Sequence, residues 1–375
     1  MSEARIDSLS NESNTGGPTL SGITTFSGTN YFVPPVGNTA QRPENPQKGS
    51  IRFNTDTKHL EYYRGDTIGW SEIEASNEEL DGGHRGFIGG GGLYPASENT
   101  ITRLTIATGG LNESFGEMNF KGMQPSTGCS SRTRGIFTGG YTPSGRTTKI
   151  DFFTMSSEGD AIDFGDTTQG REGIAGGSNG TRGIFMSGWV NPTGTNIIDY
   201  ITIASTGDAK DFGDNQQASN QNAAVNSTTR MVHRGANNNI ISYLTMATTG
   251  NALDFGDFTG AVDYGLGSVC NATRGIFGGG HPGSGALNTM QYITIATTGN
   301  GTDFGDLTSQ RRDTNGVSSP TRGVFVGGRT GSSPHPKMTD IDYVQIMTTG
   351  NAVDFGDLST ARNGAGACSN GHGGL

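Results

Sequence analysis

The chain has 375 residues, 63 of them glycine, a formal net charge of −10 and an apolar fraction of 31%. That apolar fraction is too low for a large helical or doubly wound core and suits many short strands, while glycine lacks the three-residue period of collagen. The chain has no basic cluster and no apolar run near the roughly 20 residues that span a bilayer, so we expect neither nucleic-acid binding nor membrane insertion.

The N-terminal part of the chain differs in texture from the rest. Residues Met1 to Asn14 are polar and lack the apolar stretch of a signal peptide, so we expect synthesis in a cytoplasm. Up to Pro46 the composition, rich in Ser, Thr, Asn and Pro, favours an extended arm. Two alternating strands then follow, with Asn54 to Thr57 as the turn between them. The sequence therefore predicts an extended arm and a β-hairpin over residues 1–80.

The hairpin resembles a module of bacteriophage virion proteins, in which the pattern Gly-x-Ile-Arg-Phe-Asn-Thr-Asp-Thr … Glu-x-Tyr … Trp recurs in fibre, collar and tail components. The residues that match in order are Gly49, Ile51, Arg52, Phe53, Asn54, Thr55, Asp56, Thr57, Leu60, Glu61, Tyr63 and Trp70. The resemblance implies that residues 1–80 attach the chain to other virion proteins. It singles out four attachment residues, Ile51, Phe53, Tyr63 and Trp70.

Two signatures alternate along the rest of the chain. The first is an Arg followed by a β-prone run and glycines, at Arg85, Arg134, Arg182, Arg230, Arg274 and Arg322. The second ends in Asp-Phe-Gly-Asp, starting at Asp163, Asp211, Asp254, Asp303 and Asp354, with a degraded first copy at residues 114–117. Large residues that alternate with Thr predict strands, and Thr-Gly-Asn predicts turns. Six aligned copies predict an all-β repeat architecture.

This repeat resembles the kelch repeat, which is about 50 residues long and forms one four-stranded blade of a β-propeller. The last copy shows the match best, with its four strands at residues 362–368, 322–328, 343–347 and 353–355. Phe stands where kelch repeats usually have Trp. The resemblance implies a six-bladed β-propeller over residues 81–375, which is a fold rather than an activity.

The ends of the array predict how it closes. The last repeat continues past Asp357 with the opening strand of a further repeat, whereas the first copy starts at His84-Arg85 without one. We therefore expect the C-terminal strand to complete the first blade, which removes exposed sheet edges.

The residue types that carry chemistry form no catalytic or metal-binding motif. Cys129, Cys270 and Cys368 fall at a small-residue position four or five residues before the Arg or its equivalent, which favours inner-strand packing over a disulfide. The six histidines share no metal-ligand spacing. Asp-Phe-Gly-Asp supplies too few oxygen ligands for Ca²⁺ and predicts a pairing motif, with the Asp accepting hydrogen bonds. We expect no cofactor, no metal and no enzymatic activity, although a carboxylate pair from distant loops could still cleave glycosides.

The connections between the second and third strands of each repeat vary in length and composition. Variable loops on a repeating scaffold are the usual arrangement of a binding face. The candidate binding residues in these loops are Tyr94, Tyr141, Trp189, His281, Arg329 and His335. Exposed aromatic side chains suit sugar faces or protein contacts, and the alternative for each is that it packs its own loop.

The repeats also resemble sequences abundant in phages of marine bacteria, of the cyanophage type. Together the resemblances predict a virion structural protein, an appendage of a fibre, tail or capsid, whose propeller binds a host-surface glycan or protein. One alternative is a purely structural subunit whose propeller contacts neighbouring virion proteins, and another is a propeller enzyme acting on surface polysaccharide. A generic hairpin cap on a bacterial propeller is the alternative to the phage assignment. We expect a homo-oligomer, for which three copies would suit a fibre, assembled in the host cytoplasm.

Overall fold

The computed structural model describes residues 33–57, 59–73, 85–93, 96–108, 113–122, 127–220, 223–235, 238–262 and 264–371. Strands dominate these residues, and the one helix among them is a 3-10 turn, Thr39–Gln41. No helix in these ranges is long and apolar enough to cross a membrane. The all-β class predicted from the sequence is confirmed. The chain divides into two compact units, Met1–Ser76 and Asn77–Leu375.

The first unit contains one four-stranded sheet whose strands follow chain order. They are β1 (Val36–Gly37), β2 (Ile51–Asn54), β3 (His59–Tyr63) and β4 (Trp70–Ile73). β1 runs parallel to β2, and the other neighbours are antiparallel. The strands β2 and β3 form the predicted hairpin, and β4 adds a third antiparallel strand that the sequence pattern did not predict.

The described part of the second unit contains six sheets that share one plan, four antiparallel strands paired in chain order. Sheet 1 contains β5 (Arg85–Gly89), β7 (Ala96–Thr105) and β8 (Glu113–Gly122), with the short β6 (Gly92–Leu93) beside β7. Sheet 2 contains β9 (Thr127–Ser130), β10 (Arg134–Thr138), β13 (Lys149–Thr154) and β14 (Ile162–Asp166), with β11 (Tyr141–Thr142) paired to β12 (Gly145–Arg146) in a loop. Sheet 3 contains β15 (Ala175–Ser178), β16 (Arg182–Trp189), β17 (Gly194–Thr202) and β18 (Lys210–Ser219).

The remaining sheets follow the same order. Sheet 4 contains β19 (Ala223–Asn226), β20 (Arg230–Arg234), β21 (Asn238–Thr245) and β22 (Leu253–Val262). Sheet 5 contains β23 (Tyr264–Cys270), β24 (Arg274–His281), β25 (Thr289–Thr294) and β26 (Thr302–Asp306). Sheet 6 contains β27 (Asn315–Ser318), β28 (Arg322–Val326), β29 (Met338–Gln345) and β30 (Val353–Arg362). The last strand, β31 (Gly366–Ser369), pairs antiparallel with β5 and is thus the first strand of sheet 1.

The first strands of the six sheets contact one another in cyclic order. Contacts run from β9 through β15, β19, β23 and β27 to β31, which returns to β9. Side-chain hydrogen bonds, here called the hydrogen-bond ring, follow the same circle. Ser130 Oγ donates to Ser369 O, Ser369 Oγ to Ser318 O, Cys270 N to Ser318 Oγ, Cys270 Sγ to Asn226 O, Asn226 Nδ2 to Ser178 O, and Ser178 Oγ to Ser130 O. Each sheet is therefore hydrogen-bonded to two neighbours through its first strand.

The expected packing of the cysteines in inner strands is confirmed, but the three do not occupy one equivalent position of the repeat. All three are free and buried in first strands. Cys270 takes part in the hydrogen-bond ring, where sheet 2 has Ser130, whereas Cys129 and Cys368 lie one residue before the ring. Burial raises the pKa of the Cys129 and Cys368 thiols, so both stay protonated near neutral pH.

The arginine that opens each second strand joins its sheet to the next. In all six sheets its Nη1 donates to the carbonyl oxygen of the residue that follows the next sheet's third strand. The pairs are Arg85–Met155, Arg134–Ile203, Arg182–Met246, Arg230–Ile295, Arg274–Ile346 and Arg322–Ile106. In five sheets the guanidinium carbon also lies 4.3 to 4.7 Å from the centroid of an aromatic ring on its own third strand. The repeated arginine is structural, and its last pair joins sheet 6 to sheet 1.

In sheets 2 to 5 Asp-Phe-Gly-Asp holds the fourth strand against the turn of the following sheet, as sheets 4 and 5 show. Gly299 N donates to Phe255 O at 2.8 Å, and Asp257 N donates to Asn300 Oδ1 at 3.0 Å. A Cβ on Gly256 would lie 2.4 Å from the Gly299 carbonyl oxygen, so only glycine permits this approach. The prediction that Asp-Phe-Gly-Asp is a pairing motif is confirmed in part. Between these two sheets the backbone N–H of the second Asp donates the hydrogen bond, whereas we expected an Asp side chain to accept one.

Two facing glycines allow a matched test of this contact. We expect Gly256→Ala to lower the free energy of unfolding by about 2 to 4 kcal/mol, because the new Cβ meets backbone at a φ of +146°. Gly299→Ala is the control, since a Cβ there finds nothing within 4 Å. Denaturant unfolding of both variants makes the comparison. Equal losses would show that the backbone approach does not explain the conserved spacing of the repeat.

Candidate functional site

One end of each sheet carries the variable connections. In a sheet of four antiparallel strands, the connection between strands two and three lies at the same end as the connection to the next sheet. We call this end the loop face. The opposite end carries two kinds of short turn of nearly constant sequence. One connects the first and second strands and precedes the repeated Arg, and the other connects the third and fourth strands and follows Thr-Thr. The connections that vary in length and sequence therefore lie on the loop face.

Backbone strain is concentrated on the loop face too. The non-glycine residues with positive φ in the described ranges are Ser187 (60°), Asn191 (58°), Asp313 (55°) and His335 (56°). Asn191, Asp313 and His335 lie in loop-face connections, and Ser187 lies at a bulge of β16 next to one of them. A left-handed conformation costs a non-glycine residue about 1 to 3 kcal/mol, and such strain clusters at functional sites. Two groups of side chains lie beside these strained residues or include them.

The first group, here the Tyr141 cluster, joins the loops of sheets 2 and 3. Arg146 has its guanidinium carbon 5.6 Å from the Tyr141 ring centroid, and its Nη2 donates to Glu172 Oε1 at 2.7 Å. Glu172 in turn exchanges backbone hydrogen bonds with Trp189. Two predicted residues, Tyr141 and Trp189, thus lie in one connected group, and both are half-buried. The charge of its arginine is balanced by a carboxylate.

The second group, here the Arg312 cluster, joins sheets 5 and 6. Its members are Tyr264, His281, Arg312, Asp313, Arg329 and His335. The His281 ring stacks on the Tyr264 ring, with centroids 4.6 Å apart and planes 11° apart. The Arg312 guanidinium carbon lies 5.0 Å from the Tyr264 centroid, and Nη1 donates to the Tyr264 hydroxyl.

Two further contacts complete the Arg312 cluster. Arg312 Nη2 lies 3.3 Å from His335 Nδ1, and Arg329 Nε donates to Asp313 Oδ2. The structure thus brings together three predicted residues, His281, Arg329 and His335. His281 is only 9% exposed, so it supports Tyr264 rather than presenting its own ring. The sixth predicted residue, Tyr94, lies outside the described residues.

Sequence reasoning missed half of this cluster. Arg312 and Asp313 lie in the connection from β26 to β27, and Tyr264 is the first residue of β23, whereas only the loops between second and third strands were searched. The missing signal was Asp313, which stands five residues before Ser318 of the hydrogen-bond ring. Glycine occupies the equivalent place before other ring residues, at Gly173, Gly265 and Gly364, each with positive φ.

A cavity of about 120 Å³ lies between the first strands, lined by residues of all six. Glycine and small side chains make up most of its lining, with Ile174, Leu266, Val269 and Val317 as the larger residues. Asp313 lines the cavity, and its Oδ1 is buried without a hydrogen-bond partner. In the described ranges no three His, Cys, Asp or Glu side chains meet closely enough to hold a metal.

The N-terminal sheet has a buried polar face. The Glu61 side chain is fully buried, with Arg42 Nη2 at 2.5 Å, Asn54 Nδ2 at 3.2 Å and Arg52 Nη1 at 3.4 Å from its carboxylate oxygens. The hydrogen bond from Arg42 lowers the pKa of Glu61 although burial opposes this. The carboxylate is thus ionised and satisfied at neutral pH, and it holds the arm residue Arg42 against the sheet.

The opposite face of the same sheet, here the apolar face, carries the apolar side chains. Cross-strand pairing places five of them together, Ile51, Phe53, Leu60, Tyr62 and Ile73. Ile51 is 50% exposed, and Leu60 and Ile73 are each 39% exposed. This is the reverse of the usual distribution for a sheet in water.

The four predicted attachment residues divide between the two faces. Ile51 and Phe53 lie on the apolar face, but Tyr63 and Trp70 lie on the polar face, with ring centroids 5.4 Å apart. Leu60, Tyr62 and Ile73 complete the apolar face, and only the observed strand register identifies them.

Comparison with known proteins adds no assignment. No protein-family model matches the sequence, and no curated protein matches it. The geometry of the loop face and of the apolar face therefore carries the functional argument.

Proposed function

We propose that the chain is a bacteriophage virion structural protein, an appendage that attaches through its N-terminal unit and displays a six-bladed β-propeller to bind a host-surface glycan. The cyclic contacts of the first strands support the propeller, as do the hydrogen-bond ring and the cyclic set of arginine bonds. The pairing of β31 with β5 also supports it, because a propeller is expected to close by pairing its terminal strands. The virion assignment is supported by the resemblance of the hairpin and the repeats to phage sequences.

The observation that carries the binding role is the contrast between the two ends of the sheets. Arginine, Asp-Phe-Gly-Asp and the short turns repeat with nearly constant contacts. The loop face instead carries varied loops, four strained residues and two clusters of aromatic and charged side chains. Natural scaffolds keep a rigid frame and vary the surface that recognises a partner.

The observation that carries the attachment role is the apolar face. Contiguous apolar surface on a soluble protein marks a contact with another protein. The apolar face can bury Ile51, Leu60 and Ile73 against another virion protein or another copy of this chain, at about 1.5 to 3 kcal/mol for each side chain fully buried.

An array of host-surface polysaccharides, probed with the full chain, tests the binding role. We expect the chain to bind at least one saccharide, and Trp189→Ala to weaken that binding about tenfold, because aromatic anchors dominate such contacts. Leu253→Lys is the control, since Leu253 is 56% exposed at the start of an outer strand where sheet 3 has Lys210. The chain should release no reducing ends from the bound polysaccharide.

Two results would count against this role. Binding to no saccharide, together with binding to isolated virion proteins, would favour a purely structural subunit. Equal loss of binding in the Trp189 and Leu253 variants would place the site away from the loop face.

A further inference from the structure

Arg312 is a buried residue of the second unit, 4% exposed, and it lacks the carboxylate partner that Arg171 and Arg311 have. Arg362 is also buried without a carboxylate partner among the described residues, but its Nη1 donates to the carbonyl oxygens of Gly90 and Thr100. Arg171 lies 2.5 Å from Asp199, and Arg311 lies 2.7 Å from Asp342. No carboxylate in the described part of the chain lies within 4 Å of the Arg312 guanidinium, and its Nε has no hydrogen-bond partner. A buried cation is costly unless an anion or several hydrogen bonds compensate it.

None of the described groups that contact the Arg312 guanidinium neutralises its positive charge. Its side-chain partners, the Tyr264 hydroxyl and the His335 ring, are not anions. Asp313, the carboxylate next to it in sequence, bonds to Arg329 instead. Backbone bridges from Arg312 to Arg329 and from Arg329 to Lys337 bring two more cations to the same edge. A local excess of positive charge thus lies on a chain whose formal net charge is −10.

The geometry prepares the guanidinium for a ligand. Tyr264 and His281 form a stacked pair beside Arg312, which fixes the plane of the guanidinium. A planar, fixed guanidinium is the group that proteins use to bind carboxylates, sulfates and phosphates. Asp313 and His335, the residues that hold Arg329 and contact Arg312, both have the positive φ of strained non-glycine residues. Because Asp313 is bound by Arg329, Arg312 is left for an external anion.

We propose that Arg312 binds the carboxylate, sulfate or phosphate group of an acidic saccharide at the loop face, with Tyr264 and His335 as flanking contacts. The saccharide part of this inference rests on the proposed function, and the anion site does not. His335 is half-buried on a loop whose residues Ser332, Ser333 and Pro334 are exposed, so the ligand reaches Arg312 past His335.

The test uses the full chain and three polymers: dextran sulfate, polygalacturonate and neutral dextran. We expect binding to one or both acidic polymers, weakening as salt is raised, and none to dextran. Arg312→Gln should weaken binding at least tenfold, and Arg312→Lys should give an intermediate loss because it keeps the charge without the fork. Lys210→Gln is the control, because it removes one positive charge from an exposed residue that opens β18 at the end opposite the loop face, and its binding should match the native chain.

A second variant guards against misfolding of Arg312→Gln. His335→Asp places a carboxylate beside Arg312 at a φ of 56°, which Asp tolerates, and it should abolish acidic binding while leaving the melting temperature unchanged. The proposal is overturned if folded His335→Asp and Arg312→Gln bind the acidic polymers as the native chain does. It is also overturned if neutral dextran binds as well as the acidic polymers. In either case the proposed recognition of a glycan would stand. If no saccharide binds at all, inorganic sulfate decides the anion site. It should raise the melting temperature of the native chain but not of Arg312→Gln, and an equal rise in both overturns the site.

Discussion

A chain that ends at Asn363 should aggregate, or melt about 10 to 20 °C below the full chain. The deletion removes β31, the strand that pairs with β5 and contacts both β27 and β9. It also removes Ser369, which takes part in two bonds of the hydrogen-bond ring. For the roughly 300 residues of the second unit, this shift corresponds to a loss of about 6 to 13 kcal/mol. The freed edge of β5 would pair with other chains.

The matched control for this deletion is a chain that ends at Gly371. It keeps every residue of β31 and all of the hydrogen-bond ring, so we expect it to melt with the full chain and remain in solution. Thermal unfolding followed by circular dichroism, with light scattering for aggregation, distinguishes the two. A chain ending at Asn363 that melts like the full chain would show that the cyclic contacts do not stabilise the fold.

Periodicity explains why so much of the second unit could be predicted. All six copies of Arg make the same contact with the next sheet, and so does Asp-Phe-Gly-Asp in sheets 2 to 5, so the repeat in sequence is a repeat of contacts. Gly256 illustrates this, because its backbone touches Gly299 and any side chain would separate the two sheets. The pairing of the C-terminal strand was predictable because the first copy lacks an opening strand and the last copy is followed by an extra one.

The side-chain clusters of the loop face could not be predicted in the same way. Arg312, Asp313, Arg329 and His335 come from connections that do not repeat, and only the packing of sheets 5 and 6 places Tyr264 beside Arg312. The N-terminal sheet shows a similar limit. The alternation in Ile51 to Asn54 predicts two unlike faces, but which face is buried depends on Glu61, bound by Arg42 from the arm and by Arg52 across the hairpin.

The double variant Ile51→Asp with Leu60→Asp should fold but fail to join virions. Both side chains lie exposed on the apolar face, so the charges cost little in the free chain. Buried against a partner, each unpaired carboxylate would cost several kcal/mol, which is enough to reduce association more than a hundredfold. Incorporation is measured by quantifying the chain in purified particles from cells that lack the native copy, and self-association by analytical ultracentrifugation. His59→Gln, on the opposite face and exposed, is the control and should incorporate normally.

The same experiment separates the role of the first unit from that of the second. A chain that starts at Asn77 lacks the whole first unit and should behave as the double variant does, soluble and folded but absent from particles. The fragment 1–80 should compete with the full chain for incorporation, whereas the fragment that carries the double substitution should not. If the chain from Asn77 is incorporated normally, the attachment role of the apolar face is wrong, because another surface must then hold the chain on the particle.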